Sequence, residues 1–199
     1  MLTLVVYLPG AGGNHLKNLL CVSTQYANSS DLRPEVYESP DPDRPSGEVW
    51  CVGGRNLQEI FFERMLQQPN HNWVLAAHLG EMFQYQTQLQ LITHKKIVVL
   101  TLEDAAARQQ LLQRQYRLGQ NIHPYWLDEE LIWMYSSTVV SKLFGQQDSY
   151  FELSIRDFWR HEFANSQQFV ELKNFLNLDV DQPTVDRYHK LWCVANNFV

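Results

Sequence analysis

The chain lacks most features that assign a function class at sight. No apolar run approaches the length of a membrane-spanning helix, so no helical anchor is expected. The first apolar run, residues 2–8, is too short for a signal-peptide core and has no basic leader, which points away from secretion. Cysteine is scarce. Cys21, Cys51 and Cys193 are odd in number and far apart, with no Cys-x-x-Cys pair. That spacing implies neither a zinc ribbon nor a disulfide framework, and it fits a reducing, cytoplasmic setting. Positive charge is also in deficit. Lys and Arg number 16 against 22 Asp and Glu, a formal net charge of −6. Broad attraction to nucleic acid or to an anionic membrane is therefore not expected, and any anion site must be built locally. His71, His94, His123, His161 and His189 show no paired ligand spacing, so no metal is assigned.

What is present suits one soluble domain over residues 1–199, with 45% hydrophobic residues and enough length for a real core. Apolar and β-branched runs alternate with segments of helical spacing. Strands are expected at 2–8, 48–52, 73–77, 96–102 and 149–153. Helices are expected at about 14–26, at 56–67, over 80–91 as a helix or helical turn, after Glu103-Asp104 up to Leu118, at 126–144, at 166–176 and from Val185 to about Asn196. Between Asn28 and Gly47 stand Pro34, Pro40, Pro42 and Pro45, which preclude regular structure there. A segment of that length is a lid or an irregular surface insertion. Alternating strands and helices predict an α/β fold, a mainly parallel sheet covered on both faces in three α/β/α layers.

The densest signal is the junction of the first strand and helix, Leu2-Thr3-Leu4-Val5-Val6-Tyr7-Leu8-Pro9-Gly10-Ala11-Gly12-Gly13-Asn14-His15-Leu16-Lys17. Three glycines remove Cβ atoms that would hold a bound anion off the backbone. The amides of Gly12, Gly13, Asn14 and His15 would then meet phosphate or sulfate at the positive end of the helix. A plain glycine turn is the other reading. The loop is not a Walker A loop, because Asn14 and His15 follow Gly13 where a lysine and a hydroxyl belong. Magnesium-dependent ATP or GTP hydrolysis is not expected. If the glycines serve a ligand, valine at Gly12 or Gly13 should remove anion binding and leave the fold largely intact.

Ligands of parallel sheets bind at the carboxyl ends of strands. The 9–15 loop, His78 and the segment after Leu102 should all lie on that edge. His78 is either a general base working near neutral pH or a strand-end histidine bonded to a backbone carbonyl. His15 is an anion donor or a packing residue. Lys17, Arg55, Arg108, Arg114 and Arg117 are candidate phosphate contacts, although the helix bearing the last three also presents a solvated face. Trp126, Trp133 and Tyr135 are core or acceptor-pocket lining.

In their order these features resemble the sulfotransferases that use 3′-phosphoadenylyl sulfate (PAPS), a branch of the P-loop NTPase fold. The run Pro9-Gly10-Ala11-Gly12-Gly13-Asn14-His15 stands where that family has its Pro-Lys-Ser/Thr-Gly-Thr-Thr-Trp loop. Ala77-His78-Leu79 stands for its Thr-His-Leu segment, and Lys96-Ile97-Val98-Val99-Leu100 for the strand before its 3′-phosphate segment. Tyr150 to Phe158 resembles its Tyr-Glu-Asp-Leu region, and Phe169 to Leu178 the helix that follows. The resemblance implies a P-loop NTPase/sulfotransferase-like fold, PAPS as donor, a small-molecule or glycan hydroxyl as acceptor, and no metal. It implies His78 as catalytic base, with Gly10, Ala11, Gly12, Gly13, Asn14, His15, Lys17 and Arg108 at the donor. Several departures fall where chemistry is done. Gly10 replaces the family's loop lysine, Gly13 and Asn14 its threonines, and Leu102 its 3′-phosphate arginine, for which Arg108 or Arg114 would stand in. The basic, Gly-rich carboxy-terminal donor segment is missing. The alternative is therefore a catalytically inactive nucleotide- or anion-binding protein, or an assembly protein, on the same fold.

Overall fold

The computed structural model describes residues 1–8, 10–21, 62–63, 66–67, 72–78, 86–102, 105–117 and 149–198, with the backbone alone at Ala77, His78 and Ser149. Its centre is a four-stranded, wholly parallel sheet of β1 (Leu2–Tyr7), β2 (Trp73–His78), β3 (Lys95–Thr101) and β4 (Ser149–Ser154), in the order β2-β1-β3-β4. β1 has a neighbour on each side and is buried along its whole length. This explains why it reads as an unbroken apolar run and not as an alternating one. The interior part of β3, from Ile97 to Leu100, is buried between β1 and β4 for the same reason.

The registers fix the level of each strand end. Tyr7 pairs with His78, Val6 with Val99 and Thr101 with Ser154. All four carboxyl ends therefore leave the sheet at one edge. From β1 the chain passes outward to β2, then crosses back to β3 on the other side. The reversal puts a switch point between β1 and β3.

The helices are α1 (Gly13–Cys21), α2 (Gln86–Gln90), α3 (Ala105–Arg117), α4 (Ile155–Phe158), α5 (Gln167–Leu176) and α6 (Gln182–Ala195). α1 packs on β1, β2 and α6, and α5 packs on β4. A 3₁₀ turn, Phe163–Asn165, joins α4 to α5 and packs on both α5 and α6. The short α4 was not expected from the sequence. It forms because the Ser154 hydroxyl at the end of β4 accepts a bond from the Asp157 amide (3.2 Å), turning the chain at once into a helix.

The expected strand at 48–52, the helices at 56–67 and 126–144, the 28–47 insertion, Arg55, and Trp126, Trp133 and Tyr135 lie outside the described residues, wholly or for the most part. No helix among the described residues is long and apolar enough to cross a membrane.

Candidate functional site

The loop between β1 and α1 turns at two positions that favour glycine, Gly10 (φ +83°) and Gly12 (φ +93°), and closes with a bond from the Ala11 amide to Leu8 O (2.9 Å). Side chains of this same chain lie against each glycine. A Cβ on Gly12 would stand 2.9 Å from Trp192 Cζ2 and 3.0 Å from Phe158 Cε1. A Cβ on Gly13 would fall inside the Tyr7 ring. A Cβ on Gly10 would stand 2.9 Å from Gln115 Cγ and 3.3 Å from Leu111 Cδ1, so the second half of α3 lies over the loop. Ala11 is fully buried, and its carbonyl accepts a bond from the Trp159 indole (3.0 Å). Gly12 and Gly13 thus admit aromatic rings against the backbone. Valine at Gly12 or Gly13 would strike those rings, which corrects the expectation that such changes spare the fold.

Asn14 is half-buried, and its Oδ1 is buried with no hydrogen-bond partner among the described residues. His15 is 6% exposed, stacked on Trp192 at 4.1 Å between centroids with rings parallel to 1° and on Tyr188 at 5.2 Å. Lys17 is buried on α1. Arg108 is half-buried on the first half of α3. His78 is the last residue of β2, at the same edge as the loop, and its side chain lies outside the described part.

His15 belongs to a buried polar chain linking α1 to α6. His189 Nε2 lies 2.9 Å from Arg160 O, which can only accept, so Nε2 carries the proton. Nδ1 is then bare and accepts from His15 Nε2–H over 3.2 Å. That pattern leaves His189 neutral, with one proton on Nε2. Burial pushes the His189 pKa down to about 4 against the pull of its bond to Arg160, with His161 lowering it further and Asp186 raising it. Burial, then repulsion from His189 and Arg114, holds His15 well below the usual histidine range. Cys193 donates to Trp159 O (3.7 Å) and lies 3.3 Å from His189 Nε2. Burial, with Glu162 nearby, pushes its thiol up to about 12, so it stays protonated and weakly nucleophilic near neutral pH. This cluster ties α1 to α6. Among the described residues no group of His, Cys, Asp and Glu could hold a metal ion.

Trp159 also lines a cavity of about 530 Å³, bounded by α3, the segment from Arg156 to Glu162 and the end of α6. Four arginines line it: Arg114, Arg117, Arg156 and Arg160. The Arg114 guanidinium sits 5.0 Å from the ring centres of both Trp192 and Phe198, and donates to Asn196 Oδ1 (3.1 Å). Arg114 and Arg117 were candidates from the sequence, whereas Arg156 and Arg160 were not. Their signal was available: two arginines four apart, immediately after the carboxyl end of a strand. Arg108 does not line the cavity as described. Compared with known proteins, the chain matches no family model, no curated protein and no solved structure.

Proposed function

We propose that the chain is a nucleotide-class anion-binding protein on a P-loop, sulfotransferase-like α/β/α plan, working in the cytoplasm. The observation that carries this reading is the switch point between β1 and β3, into which the glycine loop leads. Crevices at such points are where open parallel sheets bind ligands. The ligand class follows from the resemblance to PAPS-using sulfotransferases, whose donor product is adenosine 3′,5′-bisphosphate. Binding is favoured over transfer by Gly10. Sulfuryl transfer needs charge stabilisation at the bridging oxygen, and Gly10 offers no cation, while Leu111 and Gln115 cover its backbone.

The second reading is transfer of a sulfuryl group from PAPS to a hydroxyl of a small molecule or glycan. It is favoured by the pairing of His78 with Tyr7, which brings a residue able to act as a base to the edge where the loop begins.

Calorimetry tests the ligand class that both readings share. Adenosine 3′,5′-bisphosphate should bind more tightly than ATP and without magnesium; tighter, magnesium-dependent ATP binding would overturn the proposal. If transfer occurs, His78→Ala should lower turnover by roughly two to four powers of ten with donor affinity nearly unchanged. A variant with full turnover would remove His78 from the chemistry.

A further inference from the structure

We propose that the cavity bounded by α3, the Arg156–Glu162 segment and the end of α6 binds a small zwitterion, an α-amino acid with an apolar side chain. The site goes beyond the nucleotide reading and does not depend on it.

Two charges of opposite sign stand on different walls of this cavity. Arg117, the last residue of α3, and Glu162, beyond α4, both line it and are both exposed. Among the described residues, the side chain of neither takes part in an ion pair or a hydrogen bond, and the two do not pair with each other. The other arginines of the lining are engaged. Arg160 Nη1 lies 3.3 Å from Asp157 Oδ1. Arg114 donates to Asn196 Oδ1 and lies over aromatic rings, and Arg156 also has partners within the chain. What the cavity leaves to a ligand is one cation and one anion, held apart.

That pair selects by sign. A simple anion that met Arg117 would be repelled by Glu162, and a simple cation that met Glu162 would be repelled by Arg117. A molecule with a carboxylate and an ammonium satisfies both. The planar fork of Arg117 takes the two carboxylate oxygens, and Glu162 accepts from the ammonium. The Glu162 charge is also felt inside the fold, since it helps to push up the thiol of the buried Cys193 on α6.

The remaining lining suits an apolar side chain. Trp159 and Phe198 stack at 4.7 Å between centroids with planes 13° apart, and the half-buried Phe198 gives the cavity an apolar wall. An apolar group laid on that wall leaves water on binding. Gln110 and Gln113, exposed on α3, add neutral amides that donate or accept without favouring either sign. The volume of about 530 Å³ is within the ordinary range for a small-molecule site and leaves room for a side chain beside the two charged groups.

The test is calorimetry on the full chain with L-phenylalanine, with hydrocinnamate, which lacks the ammonium, and with phenethylamine, which lacks the carboxylate. L-Phenylalanine should bind at one saturable site. Each analogue should bind about three- to tenfold more weakly, the scale of one charge-assisted contact at a partly open site. Arg117→Gln should weaken phenylalanine by a similar factor and leave phenethylamine unchanged. Glu162→Gln should weaken phenylalanine and leave hydrocinnamate no weaker than before. Such a crossed pattern does not arise from a structural role, and thermal midpoints should stay where they are because both side chains are exposed. Glycine, with both charges and no side chain, should bind more weakly than phenylalanine. No saturable heat with phenylalanine, hydrocinnamate binding as tightly as phenylalanine, glycine binding as tightly, or equal losses of all ligands in both variants would each overturn the proposal. If phenylalanine binds and adenosine 3′,5′-bisphosphate does not, the nucleotide reading fails and this site stands.

Discussion

Gly13 and Tyr7 show how a glycine is required by packing. The Tyr7 ring lies where a Gly13 side chain would begin, and both residues are buried at the start of the crossover from β1 to α1. Gly13→Ala must push the ring or the loop aside, and overpacking of this kind typically costs about 1–3 kcal/mol. Urea denaturation should show the loss. Shortening the ring in Tyr7→Leu should recover part of it, so that the two changes are not additive when combined. Full additivity would mean that the ring and the glycine do not meet. At Gly12 two penalties act together, since φ is +93° and a Cβ there would lie within 3.0 Å of the Trp192 and Phe158 rings. Gly12→Val should therefore lower stability whether or not a ligand binds.

The helices at the carboxy-terminal end owe their limits to local bonds legible in the residues. α5 starts where the Ser166 hydroxyl accepts from the Phe169 amide (3.1 Å). It stops at Asn177, left-handed at φ 57°, where the Leu178 amide returns to Lys173 O (2.9 Å). Ser166→Ala should cost about 1 kcal/mol, read as a lower denaturant midpoint with unchanged slope. A cost near zero would show that packing alone sets the start of α5. The same kind of signal made β1, β2, β3, β4, α5 and α6 readable from the sequence. Apolar runs mark β1, β2 and β3, alternation of Phe151 and Leu153 with the exposed Tyr150 and Glu152 marks β4, and Ser166 and Pro183 mark helix starts. α4 was missed because its signal is one serine followed by only four helical residues, too short for periodicity to register. The buried chain of His15, His189 and Cys193 was missed for a different reason. His15 and His189 are separated by 174 positions, and no local pattern reports a contact of that span. The loop glycines were visible at once, but Trp192, Phe158 and Gln115 packed against them come from α6, α4 and α3, so only the fold reveals what they face.

On the scale of the whole molecule, the histidine pair makes stability depend on pH in one direction. His189 ionises near 6.5 when unfolded, and burial lowers that to about 4 in the fold. Between those values the unfolded chain takes up a proton that the native state refuses, so acid favours unfolding. The contribution is fully present above about pH 6.5 and is lost as pH falls toward 4. Integrated over that window it amounts to about 3 kcal/mol, from 1.36 kcal/mol per pKa unit. His15, also held low, adds in the same direction. The structural cause is burial of the ring, which is fully enclosed between α1 and α6; a second proton on His189 would also face the His15 N–H it now accepts from. The bond joins α1 to α6, and Trp192 on α6 lies against Gly12, so α6 and the glycine loop should loosen together as the pH falls. Urea midpoints measured from pH 7.5 to 4.5 should fall steadily below 6.5. In His189→Gln, whose amide can still donate to Arg160 O, stability should start lower and change less across that window. An equal slope in the variant would place the titrating group elsewhere.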